Sequence, residues 1–281
     1  MTEWETLEVE QHGRVKLIRF NRPNSLNAFN GTMYSEFRRA IEDANADPSV
    51  GAIVSTGNGR AYSAGADIGG FNATFENGGS AGSAREERDD GTPFDPVFIM
   101  ESKPIIGAIN GVSVGIGLTG PLLYDMLLAS TEARFSMRFA AIGLTPEVGS
   151  SWTLPHIIGL HKAREMMLTG KIYNAQEALE LGLVRKLYEP EELVPAALEL
   201  GAQIAANPIS TLSTIKRMIW DDLAATDVSS VWRRSSDHFA NARKTTQHRE
   251  ALLAMGEKRD SRFHDVEYMS ELAKKVSEGT S

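Results

Sequence analysis

The sequence contains no cysteine, which excludes a disulfide framework, a thiolate nucleophile and any cysteine-ligated metal. Its six histidines never fall in H-E-x-x-H order, and His156 and His161 do not have ligand spacing, so no metal site is expected. Positive charge is also short. The formal net charge is −8, which argues against nucleic acid or an anionic membrane as the main partner. The first ten residues, MTEWETLEVE, lack an apolar signal core, and the final SEGTS is not a peroxisomal address. A cytoplasmic protein is the expectation. One uncharged stretch, 104–124, is long enough for a membrane span, but it holds five glycines and two prolines. A spanning helix is therefore not expected.

What remains is the composition of an ordinary globule, 42% apolar and 23% charged over 281 residues. Residues 7–10 and 15–20 flank His12-Gly13 as a hairpin. From Asn30, a candidate cap, Met33, Phe37, Ile41 and Ala44 recur at helical spacing up to Asp47-Pro48. Short apolar runs at 52–55, 104–109, 126–129 and 134–137 read as strands. From His161 onward the pattern turns helical. Strands early and helices late predict an α/β core, 1–205, followed by a helical C-terminal region, 206–281. No repeat of fixed period is evident. Residues 69–91 are poor in apolar side chains and carry mixed charge, as expected of a surface loop, either a linker or a lid.

Two strand-like runs end in glycine- and alanine-rich turns, at 57–68 and 110–120. Backbone without Cβ lets main-chain N–H groups approach a ligand, and a helix start adds unpaired donors, so such turns can hold a negative oxygen. The second turn also fits G-x-S-x-G around Ser113 and G-x-G-x-x-G at Gly115, Gly117 and Gly120, with Glu132 at the distance of a ribose-binding acid. Both of those motifs need a full helix at once. Pro121 is expected to delay the helix to about Thr119 or Gly120.

In combination, NRPNSLNA (21–28), AYSAGADI (61–68), INGVSVGIGLTG (109–120), GKIYNAQEALELGLV (170–184) and EKRDSRF (257–263) resemble the enoyl-CoA hydratase/isomerase (crotonase) superfamily. The resemblance covers roughly residues 5–263 and is closest to the peroxisomal Δ3,Δ2-enoyl-CoA isomerase type. It implies a spiral of ββα units with a helical C-terminal oligomerisation region. It also implies a homotrimer or dimer of trimers, and a coenzyme A thioester as substrate with no separate cofactor. The thioester oxygen would be held by the N–H groups of Ala66 and Ile116. Asn24, Ser25, Leu26, Ala64, Asp67 and Ile68 would wrap the CoA, with Lys258 and Arg259 able to reach its phosphates. Family hydratases carry two glutamates where Thr119 and Phe139 stand, and neither of these can exchange a proton at neutral pH. Glu147, in LTPEVGSSW, then stands as the acid/base. The plain alternative is that Glu147 caps a helical turn near Ser150. Other readings stay open: hydratase-like or other thioester chemistry, a serine hydrolase using Ser113 with His238, and a non-catalytic acyl-CoA-binding module.

Overall fold

The computed structural model describes residues 4–67 and 97–277. The 69–91 segment, expected to be a linker or lid, therefore lies outside the described residues, as does Ile68. The chain forms two compact units, Met1–Ala202 and Gln203–Ser281.

In the first unit, β1 (Leu7–His12) and β2 (Val15–Phe20) form the expected antiparallel hairpin, closed by Gly13 at φ 56. β2 then pairs in parallel with β3 (Ala52–Gly57), all six residues of which are buried. Burial on both faces is the usual situation of a parallel strand and explains the unbroken apolar reading. The strands now come in pairs: β3 with β4 (Ala61–Ser63), β5 (Ile105–Ile109) with β6 (Val112–Val114), and β7 (Met126–Ser130) with β8 (Arg134–Ser136). The first member of each pair joins a six-stranded sheet, ordered β1-β2-β3-β5-β7 and finally β10 (Lys186–Tyr188). The second member joins a four-stranded sheet, ordered β4-β6-β8 and then β9 (Tyr173–Asn174). The chain thus winds as the expected spiral of strand pairs and helices. Its turns begin at residues 52, 105 and 126, at unequal intervals, so no fixed period shows in the sequence.

Helix α1 (Gly31–Ala46) starts where Asn30 Oδ1 accepts the Met33 N–H at 2.9 Å. It buries Met33, Phe37, Ala40, Ile41 and Ala44 along one face. At its far end the buried Lys103 Nζ donates to the carbonyls of Ala44 (2.8 Å) and Asp47 (2.6 Å), which the helix itself leaves open. Phe20 sits edge-on to Phe29, Phe37 and Tyr62 at 5.0–5.2 Å. This cluster locks α1 to the strands beneath it. Shorter helices follow: α2 (Val97–Met100), α3 (Ile116–Thr119), α4 (Ser150–Ile158), α5 (Leu160–Thr169) and α6 (Ala175–Leu181), before α7 (Pro190–Ala205). Strands β9 and β10 fall outside the sequence expectation because they have only two and three residues.

The second unit holds α8 (Ile209–Leu223), α9 (Val228–Ala242), α10 (Thr246–Glu257) and α11 (Val266–Ser277). Its anchor is Glu250, fully buried at the start of α10's last two turns. The carboxylate accepts Arg259 Nη1 (2.6 Å), the Arg262 N–H (2.7 Å) and the Tyr268 hydroxyl (2.6 Å). Arg259, expected to be available for phosphates, is thereby committed to Glu250, with a further bond to Glu257. Lys258 ends α10 in the left-handed region, φ 53, with its side chain exposed. Among the described residues no helix is long and apolar enough to cross a membrane.

Candidate active site

The first unit carries both glycine-rich turns. β4 and β6 run parallel, with Ala61 opposite Val112 and Ser63 opposite Ser113, so the turns that follow them leave the sheet on the same side. Glycines let them touch. A Cβ on Gly65 would stand 3.0 Å from the Val114 carbonyl oxygen, one on Gly115 would lie 3.7 Å from Gly65 Cα, and one on Gly117 would reach 2.4 Å from the Ser63 oxygen. The residue after Gly65 is Ala66 and the residue after Gly115 is Ile116. The two candidate donors therefore follow directly from a pair of backbones in contact.

Each N–H is left without a main-chain acceptor among the described residues, for its own reason. Ala66 forms an isolated parallel bridge with Phe29. Within it, the Phe29 N–H donates to Gly65 (2.8 Å) and the Asp67 N–H donates to Phe29 (2.9 Å). Both polar groups of Phe29 are thus used by the neighbours of Ala66, and Ala66 presents its own N–H on the opposite side. Ile116 opens helix α3, where no preceding turn exists to accept its N–H. Among the described residues no carbonyl accepts either group.

Helix α3 begins earlier than Pro121 had suggested. Gly115, at φ 56, is its N-cap, and the chain stays helical through Gly120 (φ −61, ψ −54) into a 3-10 turn, Pro121–Leu123. Pro121 removes only its own N–H, whose acceptor would be the Gly117 carbonyl. That carbonyl receives the Ser113 hydroxyl instead, at 2.8 Å. Ser113 is fully buried and spent on this bond, which leaves it unsuited to be a nucleophile. A four-residue helix also lacks the length that a dinucleotide turn requires.

Beside Ile116 lies a small apolar recess of about 20 Å³, lined in part by Phe29, Tyr34, Tyr62, Ile99 and Tyr124. At its base the Tyr62 hydroxyl bonds Ser55 Oγ (2.8 Å) and the Tyr124 hydroxyl (3.1 Å). Burial pushes the Tyr124 phenol up to about 12 and also raises the Tyr62 phenol well above its ordinary range. Both stay neutral at physiological pH. A wider cleft of about 340 Å³, lined by Arg19, Asn58, Arg60, Asn110 and Glu132 among others, opens at the other ends of β4 and β6.

Glu147 lies just before α4, which packs against the 3-10 turn that continues α3. Its side chain is half-buried, and desolvation raises its carboxyl above the ordinary range. Among the described residues it makes no ion pair and no side-chain hydrogen bond. Its main-chain carbonyl, not its carboxylate, accepts Ser150 N–H (2.9 Å) and Oγ (2.7 Å), and α4 has no side-chain cap. The capping alternative for the carboxylate thus finds no support here. Val148 follows with φ 53, a costly conformation for a β-branched residue. Thr119 and Phe139 are both buried, and Thr119 Oγ1 has no partner among the described residues.

Asn24 and Ser25 stand exposed in a 3-10 turn, Pro23–Ser25, and Leu26 accepts the Ala64 N–H at 2.9 Å. The Asp67 carboxylate receives Arg22 Nη2 at 2.9 Å, a partner 45 residues away that the sequence reading had not singled out. Lys258 belongs to the second unit. Among the described residues no group of three acidic or histidine side chains could hold a metal.

A family model described as enoyl-CoA hydratase/isomerase matches residues 10–266. The chain belongs to this family. The crotonyl-CoA hydratase of Syntrophomonas wolfei is 30% identical over 92% of this chain and 98% of its own length. The human enoyl-CoA delta isomerase 2 is 38% identical over 66% of this chain and 47% of that protein. An enoyl-CoA hydratase structure from Polaromonas sp. JS666 superposes with a TM-score of 0.82 at 25% identity, covering 91% of this chain and 98% of that one. The spiral of strand pairs is therefore a fold this family member shares with solved relatives.

Proposed function

We propose that this crotonase-superfamily enzyme moves a double bond in an acyl-CoA thioester, converting a 3-enoyl-CoA to the 2-enoyl isomer. Glu147 removes a proton from C2. The electron pair spreads through the C3–C4 double bond and the carbonyl as a dienolate, whose oxygen is held by the Ala66 and Ile116 N–H groups. The same carboxyl then returns its proton to C4, so no atom is gained or lost. Desolvation suits Glu147 to both halves of that exchange, since a raised pKa brings its proton affinity nearer that of the carbon acid.

The observation that carries this reading is the half-buried Glu147 carboxylate, which has no ion-pair or side-chain hydrogen-bond partner among the described residues. Relatives named as hydratases favour water addition, but here Thr119 and Phe139 stand where the resemblance puts the two hydratase glutamates. Within the same reading, the 24–26 segment and Ala64 hold the CoA, and the apolar recess beside Ile116 takes the first carbons of the acyl chain. A panel of 3-enoyl and 2-enoyl thioesters tests it. Isomerisation of the 3-enoyl compounds with little hydration of the 2-enoyl ones is expected, and efficient hydration overturns it.

A further inference from the structure

Arg22 binds on both sides of the Phe29–Ala66 bridge. Its Nη1 donates to the Ala28 carbonyl and its Nη2 to Asp67 Oδ2 at 2.9 Å. Ala28 precedes Phe29 in one strand segment, and Asp67 follows Ala66 in the other. The guanidinium therefore reaches across the two segments one peptide away from the bridge on each. Arg22 is itself held. Its N–H donates to Asn27 Oδ1 at 2.8 Å, and the fully buried Asn27 amide is fixed by the carbonyls of Asn58 (3.0 Å) and Ala61 (2.7 Å).

The turn being gripped needs such a tie. Gly65 stands at φ +106, where glycine is at its most permissive, and the bridge itself contributes only two hydrogen bonds. We propose that the Arg22–Asp67 pair is a positioning device that fixes the 65–67 turn so that the Ala66 N–H aims at the thioester oxygen. This rests on the reading that Ala66 is an oxyanion donor. Both side chains are partly exposed, 21% and 32%, and an ion pair in that setting adds little to global stability. The aim of an oxyanion donor, by contrast, acts directly on the barrier. The pair should thus be felt in kcat and not in folding. A lysine at 22 would keep the charge but lose the planar fork that serves two acceptors at once.

The test uses the whole protein with Arg22→Lys, Arg22→Gln and Asp67→Asn. It reads kcat and KM for a 3-enoyl-CoA, melting temperature, and the near-ultraviolet band of bound acetoacetyl-CoA, whose enolate reports charge held on the thioester side. All three variants are expected to lose about 10²-fold in kcat, with KM and melting temperature nearly unchanged and the enolate band weakened. A normal kcat, an intact band, or full activity in Arg22→Lys overturns the positioning role. So does a rate loss that merely tracks unfolding. A wild-type protein showing no enolate band instead sinks the oxyanion reading of Ala66, and the pair's role with it.

Discussion

The Ser113 hydroxyl donates to the Gly117 carbonyl at 2.8 Å, filling the acceptor that Pro121, without an N–H, leaves open. This one bond lets the chain begin a helix at Ile116 while a proline stands five residues later. Ser113→Ala should leave a buried carbonyl unpaired and cost ~1–3 kcal/mol, with turnover per folded molecule nearly normal. A fluorophosphonate should not label the wild-type protein at this residue. Stoichiometric labelling of Ser113 would revive the hydrolase reading.

A second prediction separates the donor from the side chain. Ala66→Pro deletes one N–H aimed away from the Phe29 bridge and should lower kcat by ~10²–10³-fold. Ile116→Leu keeps the N–H and exchanges one apolar side chain for another, so its effect should be mild. Equal and severe losses in both variants would show that packing, not the donors, governs the rate.

Much of this fold was legible because its long elements are periodic. The β1–β2 hairpin and α1, with Asn30 as its cap, follow directly from alternation and 3.6-residue spacing. β4 and β6 were hidden, since three residues are too few to show a period, although they carry both site turns. The early start of α3 was missed for a chemical reason: the consequence of a proline depends on which other donor reaches the orphaned carbonyl. Glu147 was singled out through its residue type and the family resemblance, while its partial burial and its lack of side-chain partners among the described residues are visible only in three dimensions. The Arg22–Asp67 pair could not be read at all, because no pattern joins residues 45 apart.

The second unit should be acid-labile. Hydrogen bonds from Arg259, followed by those from Tyr268 and the Arg262 N–H, hold the Glu250 carboxyl down at about 2. Its folded pKa is thus below the ordinary value of about 4.3. Its stabilisation is fully present above the ordinary value and fades as pH falls toward 2. Glu250→Gln should flatten that acid dependence and lower stability at neutral pH. Equal acid unfolding profiles for the two proteins would contradict the assignment.

Exposed apolar side chains mark two helices of that unit: Ile215, Ile219 and Leu223 on α8, and Val228, Trp232 and Phe239 on α9. Such faces are contact surfaces in soluble proteins, and self-association into trimers or pairs of trimers is the proposed use. Sedimentation should find an oligomer, and Trp232→Glu should weaken it. A strictly monomeric wild-type protein at micromolar concentration would exclude this assembly.

The most direct test is the Glu147→Gln variant, followed for isomerisation rate and melting temperature in one preparation. A carboxyl whose folded pKa is raised by desolvation stabilises the fold only at low pH and is a net cost once ionised. Removing its charge should therefore leave stability at pH 7 unchanged or improved. The wild-type rate should rise with pH along an acid limb set by this group, above the ordinary carboxylate range. In the variant, conversion of 3-enoyl-CoA to 2-enoyl-CoA should fall by ~10²–10⁴-fold, with acyl-CoA binding retained. A variant that is less stable yet isomerises at the wild-type rate would contradict the central claim that this one carboxylate carries the proton.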